Sequence, residues 1–190
     1  MRNTHAARSS RALTMDKNQI SRYLLAASLY FAVTVHTPAK PAAMYLPLFI
    51  IERSINANVV HYDAKLSDDG NLDPQEPVVA YWIMAAKDGH RQELNLLERV
   101  KAYGFTVHPD ASGKFYHMEL VSQRRRDIHV YRDGDVVRAE TLIAGQPAYL
   151  QKVFVSARHL VMLPTPEYVE MFGVDVKTGA PRSEKVRPGH

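Results

Sequence analysis

The chain has 190 residues, of which 46% are hydrophobic and 23% charged, so it can bury the core of one globular domain and carry a short extension. It contains no cysteine, which excludes disulfides, thiol catalysis and cysteine-ligated metal sites. The net charge of +4 belongs to the first 43 residues, because the rest of the chain holds 18 basic and 19 acidic residues. A domain so balanced lacks the basic surface that nucleic-acid binding requires, and we expect no nucleic-acid partner.

An uncharged apolar stretch lies near the N-terminus, at residues 23–35. Lys17 and Arg22 precede it and an Ala- and Pro-rich segment follows it, which is the order of a secretory signal. Its length falls short of the roughly 20 apolar residues of a membrane span, and an uncleaved anchor is the alternative. We therefore predict that residues 1–43 are a signal peptide or disordered targeting segment. The protein is then exported, to the periplasm or the cell exterior, and meets a membrane only through this segment before cleavage.

Residues 44–190 are predicted to form a single β-rich globular domain. It begins with strand-like runs at residues 45–51 and 57–64, joined by a polar corner at residues 52–56 that predicts a hairpin or a bulge. A loop rich in Asp, Gly and Pro follows, and the apolar run at residues 78–85 predicts a buried central strand.

One segment, at about residues 93–103, has helical periodicity. The apolar residues that recur at helical spacing are Leu96, Leu97, Val100 and Tyr103. Gly104 stands where a C-cap glycine ends a helix. We expect this helix to pack its apolar face against the sheet.

Short strand-like runs recur after Gly104 at intervals of about ten residues, separated by turn-forming residues. They cover residues 105–108, 115–122, 127–131, 136–143, 148–157, 159–163, 168–176 and 182–186. The chain shows no strand–helix–strand repetition, which argues against a parallel sheet. The predicted fold is mainly β: a single antiparallel barrel or two-sheet sandwich of about 8–10 short strands with one packed helix (about 93–103).

Four segments resemble domain-of-unknown-function family 4833 (DUF4833). They lie at residues 49–63, 77–83, 97–105 and 167–173, and they include the patterns Glu-Arg-Ser-x-Asn-Ala-Asn and Glu-Arg-x-x-Ala-Tyr-Gly. The resemblance extends from about residue 46 to residue 186. It implies a single domain, and it implies no known reaction.

The dipeptide Glu-Arg occurs twice beside apolar runs, as Glu52-Arg53 and Glu98-Arg99. Burial at such positions favours pairing, so we expect a crossed ion-pair network that docks the helix onto the first hairpin. As an alternative, Arg53 or Arg99 anchors a carboxylate or phosphate ligand, because a guanidinium offers a bidentate fork.

The polar corner and its neighbours supply further candidate ligand-binding residues. Asn56 and Asn58 either bond a sugar-like ligand or cap the corner through its backbone. His61 and Asp63 share one face of a strand, where they could serve as metal ligands or as a base and its orienting group, but no third ligand follows at a diagnostic spacing. His117 and His129 lie on successive strands whose register the sequence leaves open. We predict no metal site and no cofactor.

An aromatic set completes the candidates: Tyr62, Tyr81, Trp82, Tyr103 and Tyr116. These rings either fill the core or line a pocket. If a pocket forms, we expect the corner to be its polar wall and Tyr81, Trp82 and Tyr103 its apolar wall.

These features predict an exported β-domain that binds a small molecule or an envelope component without catalysis, the ligand being apolar or sugar-like. One alternative is a hydrolase of glycans or lipids that uses Glu52, His61, Asp63 or Glu98 as acid and base. Another is a structural or protein-interaction module.

Overall fold

The computed structural model describes residues 43–160 and 163–187, the side chains of residues 159, 160 and 163–165 excepted. The predicted targeting segment, apart from its last residue, and the middle of the strand predicted at residues 159–163 lie outside the described residues. In the described part of the chain, eleven strands belong to one sheet. The strands are β1 (Met44–Arg53), β2 (Asn56–Leu66), β3 (Val78–Met84), β4 (His90–Glu93), β5 (Phe105–Pro109), β6 (Tyr116–Leu120), β7 (Asp127–Asp133), β8 (Val136–Ile143), β9 (Gln146–Leu160), β10 (Leu163–Asp175) and β11 (Pro181–Val186).

The sheet branches at β9. Strand β10 pairs with one edge of β9 along most of its length, so β8 and β1 share the other edge. β8 pairs antiparallel with the beginning of β9, whereas β1 pairs parallel with residues 152–155 of β9. Two arms leave this edge: a first arm of β1, β2, β3 and β4, and a second arm of β8, β7, β6 and β5. The β1–β9 pair is a local exception to the antiparallel arrangement that the sequence predicts.

The core lies between the inner faces of the two arms. Side chains alternate between the faces of each strand, and one face of each arm enters a common apolar cluster. Its members include Phe49, Ile51, Val60, Tyr62, Trp82, Met118, Leu120, Ile128, Val130 and Ala139. The sheet is strongly curled into a half-barrel, and the prediction of a mainly-β fold with one packed helix is confirmed.

The helix is shorter than its predicted span. It comprises α1 (Leu96–Glu98) and a π-helical turn (Arg99–Tyr103). The helix starts only at Leu96 because Glu93 belongs to β4, where it pairs with Tyr81 of β3. Neither β4 nor the switch to π-helical spacing was predicted.

The predicted apolar face of this helix is wrong in its details. Leu96, Leu97 and Val100 are 78%, 64% and 52% exposed, because the change from α to π geometry breaks the 3.6-residue period on which the prediction depended. Tyr103 alone of the four packs against the core, with its ring edge-on to Trp82 at 5.0 Å. No helix in the described part of the chain has the length and apolar character needed to cross a membrane.

Gly104 ends the helix for a different reason from the one predicted. Its backbone is extended, with φ at −67°, so it is not a left-handed cap. A Cβ at this position would lie only 2.7 Å from the carbonyl carbon of Arg99, and glycine avoids that collision. The carbonyl of Gly104 accepts a 2.9 Å hydrogen bond from the amide of Val121, which joins the end of the helix to the loop after β6.

Candidate functional site

The corner between β1 and β2 docks the helix through Arg53. The guanidinium of Arg53 lies 4.3 Å from the ring centroid of Trp82. It donates hydrogen bonds of 3.1 Å to the hydroxyl of Tyr103 and to Oδ1 of Asn56. Its Nε is buried without a partner among the described residues. The hydrogen bond to Tyr103 thus holds the helix to the first arm, and the cation–π contact with Trp82 fixes the guanidinium that donates it.

The predicted crossed ion-pair network between the two Glu-Arg dipeptides is wrong. Glu52 and Arg53 are neighbours on a strand and point to opposite faces, so Glu52 turns outward and pairs with Lys152 at 3.2 Å. Glu98 completes a capping box with Asn95, whose amide donates to its carboxylate at 2.9 Å. Arg99 pairs with Glu93 at 3.2 Å instead of reaching the first hairpin.

Asn56 and Asn58 both accept hydrogen bonds from backbone amides, but only Asn56 caps the corner. Oδ1 of Asn56 accepts from the amide of Asn58 at 3.1 Å, which stabilises the local turn in agreement with the capping alternative. Oδ1 of Asn58 instead accepts from the amide of Ala85 at 3.1 Å and joins β2 to the turn after β3.

His61, Asp63 and Tyr81 meet on the outer face of the first arm. The hydroxyl of Tyr81 donates a 2.5 Å hydrogen bond to Asp63, which is buried, and His61 stacks on the Tyr81 ring at 5.6 Å. Burial and the bond to Asp63 raise the pKa of Tyr81 to about 12. Trp82 and Tyr62 point to the opposite face and belong to the core. The predicted apolar wall of Tyr81, Trp82 and Tyr103 therefore does not form.

A second polar cluster lies on the outer face of the second arm. His117 and His129 stand directly opposite each other on β6 and β7. One carboxylate oxygen of Asp127 lies 2.8 Å from Nδ1 of His117 and 2.9 Å from Nε2 of His129. Potential ligand atoms of these residues lie within 4.8 Å of one another, and we call them the His–Asp cluster. The bond to Asp127 is the main cause that raises the pKa of His117.

Groups behind the His–Asp cluster hold it in place. Oδ1 of Asp110 lies 3.6 Å from Nε2 of His117, the ring nitrogen that faces away from Asp127. The carboxylate of Asp110 is itself fixed by the amide of Ser112 at 2.7 Å. Thr141 donates a 2.7 Å hydrogen bond to the backbone carbonyl of Asp127.

A cleft of about 760 Å³ adjoins this cluster. Its wall includes Arg125, Arg126, Asp127, His129, Leu142 and Glu184. Arg126 and Glu184 form a bidentate pair with distances of 3.0 and 2.9 Å, and Arg126 also donates to the carbonyl of Leu142. This pairing holds the pKa of Glu184 below its ordinary value.

The His–Asp cluster and the cleft include no residue of the predicted corner or aromatic set. The signal for the cluster is present in the sequence, since His117 lies on one strand and both Asp127 and His129 lie on the next. What the sequence lacks is the register, which sets His117 opposite His129 and brings Asp127 between their rings. Arg126 is the last residue of the run Arg124-Arg125-Arg126, and it pairs with Glu184, 58 residues away in the chain.

The described residues define a mainly-β domain built on one curled sheet, with a cleft on the outer face of one arm. The family model for "Domain of unknown function (DUF4833)" matches residues 49–185, and the chain belongs to this family, as the sequence resemblance indicated. No curated protein and no solved structure matches the chain.

Proposed function

We propose that the protein is an exported domain that binds a small ligand without catalysis, and that the ligand occupies the cleft beside the His–Asp cluster. One observation carries the proposal: the cleft combines three features. Its wall is fixed by the pair of Arg126 and Glu184. It also holds the exposed apolar side chain of Leu142, and Arg125, which has no ion pair in the described part of the chain. Its volume of about 760 Å³ falls within the range of small-molecule sites.

The fixed wall favours binding because little order has to be gained when a ligand enters. The carboxylate of Glu184 accepts two bonds from Arg126 and a third, of 2.8 Å, from the amide of Ala144. These bonds join β11 to the turn after β8 and to the start of β7. A preorganised wall reduces the entropic cost of association.

The lining indicates a ligand with one acidic group and an apolar body. Arg125 is exposed and available to a carboxylate or phosphate, whereas Arg126 is occupied by Glu184. Leu142 is 54% exposed in the cleft and offers an apolar contact. Asp127 and Glu140 also line the cleft and disfavour a second negative charge. An aromatic carboxylate has this character, whereas a sugar acid shares only the acidic group.

The hydrolase alternative gains no support from the carboxylates on which it depended. Glu52 is paired with Lys152, Glu98 caps its own helix, and Asp63 accepts from Tyr81. Each is engaged by a different partner, so they do not form the facing pair that glycoside hydrolysis uses.

Titration with benzoate and glucuronate, followed by backbone amide chemical shifts of the ¹⁵N-labelled full chain, tests the proposed site. We expect shifts at residues around Arg125 and Leu142, and at least fivefold weaker binding in Arg125→Gln. The matched control is Arg124→Gln, because Arg124 is an exposed neighbour that does not line the cleft. Equal affinities in the two variants, or shifts confined to other surfaces, would rule out this site.

Export is tested separately by cell fractionation and by the intact mass of the purified protein. A cleaved protein outside the cytoplasm, with its new N-terminus near residues 39–43, agrees with the proposal. An intact cytoplasmic protein contradicts it. Native mass spectrometry of protein purified from its own envelope then shows whether a small molecule accompanies the chain.

A further inference from the structure

We propose that His117, Asp127 and His129 form a binding site for one divalent transition-metal ion on the outer face of the second arm. Two imidazole nitrogens and a carboxylate oxygen converge here, within 4.8 Å of one another. A set of two histidines and one carboxylate is a recurrent donor set for such ions, and it leaves positions open for water or a ligand.

The spacing of the donors needs only a small adjustment. Oδ2 of Asp127 lies 2.8 and 2.9 Å from the nearest nitrogens of His117 and His129. Donors around a tetrahedral ion with bonds of about 2.0–2.1 Å lie roughly 3.3 Å apart. The side chains of His117, Asp127 and His129 are 40% to 46% exposed. The carboxylate and the two rings can therefore shift by a few tenths of an ångström to these spacings without disturbing the core.

The surroundings supply the support that metal-binding histidines commonly have. Oδ1 of Asp110 stands 3.6 Å from the far ring nitrogen of His117, where the carboxylate attracts the N–H and favours this orientation of the ring. Thr141 anchors the backbone of Asp127 from the neighbouring strand. All three donors thus lie on paired strands and not on a free loop.

The donor types select the class of ion. Calcium and magnesium prefer six or more oxygen ligands, whereas imidazole nitrogen favours zinc, copper and nickel. Asp127 and His129 also line the cleft, so an ion bound here would border the proposed ligand site. The open coordination position of the ion would then bind the acidic group of that ligand. This last step rests on the proposed function, whereas the metal site itself does not.

Equilibrium dialysis of the tag-free full chain against Zn²⁺, with Ca²⁺ as the contrasting ion, tests the site. We expect one Zn²⁺ per chain, and more than tenfold weaker binding in each of His117→Ala, Asp127→Ala and His129→Ala. The chain has nine His, so a histidine control is needed. His108→Ala serves, because His108 lies opposite His117 on β5 but outside the cluster, and it should retain wild-type affinity.

Asp110→Asn tests the orienting role, since it removes the charge without removing a ligand. We expect zinc affinity to fall about tenfold. Long-range ¹H–¹⁵N spectra of the wild-type imidazoles give a second measurement that does not depend on variants folding. Zinc must shift the signals of both His117 and His129. Absence of zinc binding, or zinc binding that leaves these signals unchanged, would falsify the site.

A final comparison separates this site from the proposed function. Benzoate titration is repeated on EDTA-treated and zinc-loaded protein. Benzoate binding near Arg125 with no zinc binding overturns the metal site alone. Zinc binding at the cluster with no benzoate or glucuronate binding supports the metal site and overturns the proposed organic ligand.

Discussion

The hydroxyl of Tyr62 donates a 2.6 Å hydrogen bond to the backbone carbonyl of Tyr103, and this bond ties the buried face of β2 to the end of the helix. Tyr62 is fully buried, and its ring stacks on Phe49 at 4.5 Å. Burial raises the pKa of Tyr62, so the hydroxyl remains a donor at all ordinary pH values. The bond connects the core of the first arm to the π-helical turn that follows α1.

Replacing Tyr62 with Phe should lower the free energy of unfolding by about 1–3 kcal/mol, because the carbonyl of Tyr103 loses its partner while the ring stack remains. Urea denaturation measures the change. Tyr45→Phe is the control, since Tyr45 is 40% exposed and its change should stay within about 0.5 kcal/mol. Equal stabilities of the two variants would show that the bond contributes nothing.

Replacing Arg53 should cost much more stability than replacing Arg99, although both residues follow a Glu in the same sequence pattern. Arg53→Ala removes a cation–π contact with Trp82 and a charged hydrogen bond to Tyr103, so we expect a loss of about 2–4 kcal/mol. Arg99→Ala removes an exposed ion pair with Glu93 and a 3.0 Å hydrogen bond to the carbonyl of Leu94, and should cost about 1 kcal/mol. Thermal and urea unfolding of both variants measure this. A larger loss for Arg99 would contradict the assigned docking role of Arg53.

The sequence predicts the mainly-β fold because alternating and apolar runs mark most of the strands without reference to their partners. The prediction from sequence fails where a distant pairing partner decides the secondary structure of a residue or the direction in which two strands pair. Glu93 is assigned to a helix by periodicity, but pairing with Tyr81 places it in β4. Local residues cannot reveal that β1 runs parallel to β9, since the two strands lie about 100 positions apart in the chain.

The candidate site was predictable only as a set of residue types. Alternation predicts that His61 and Asp63 share a face, and both contact Tyr81 on the outer face of the first arm. The His–Asp cluster depends on a register that a shift of one residue would destroy, because each shift moves a side chain to the other face. The sequence carries no comparable marker for that register.

Glu184 should make stability depend on pH in the acid range. Arg126 holds the pKa of Glu184 below its ordinary value of 4.5. A carboxyl whose folded-state pKa is depressed contributes stability that is complete above its unfolded pKa and is lost as the pH falls through the folded pKa. We therefore expect the free energy of unfolding to fall more steeply below about pH 4.5 in the wild type than in Glu184→Gln.

Urea denaturation at a series of pH values from about 7 down to 3 measures this difference. Other carboxyls with lowered pKa values, such as Asp175, contribute to both proteins and cancel in the comparison. Arg126→Gln removes the cause of the shift and should flatten the profile as Glu184→Gln does. Parallel profiles for the wild type and both variants would show that the pair makes no pH-dependent contribution.

Gly173 allows β10 to approach β9 closely at a register shift. A Cβ at this position would collide with the carbonyl oxygen of Tyr149 and would lie 2.8 Å from Cδ1 of Ile143. Gly173→Ala should therefore lower the free energy of unfolding by about 1–3 kcal/mol. The backbone carbonyl is the nearer obstacle, and it cannot move without breaking the pairing of β9 and β10.

A double-mutant cycle with Ile143→Val identifies which obstacle dominates. Ile143→Val removes Cδ1 and should itself cost about 0.5–1.5 kcal/mol. If the carbonyl of Tyr149 is decisive, Gly173→Ala costs nearly as much in the Ile143→Val background as in the wild type, with a coupling energy below about 0.5 kcal/mol. Recovery of most of the lost stability in the double variant would place the conflict at Ile143 instead, and β9 would then tolerate a side chain at residue 173 once its neighbour is trimmed.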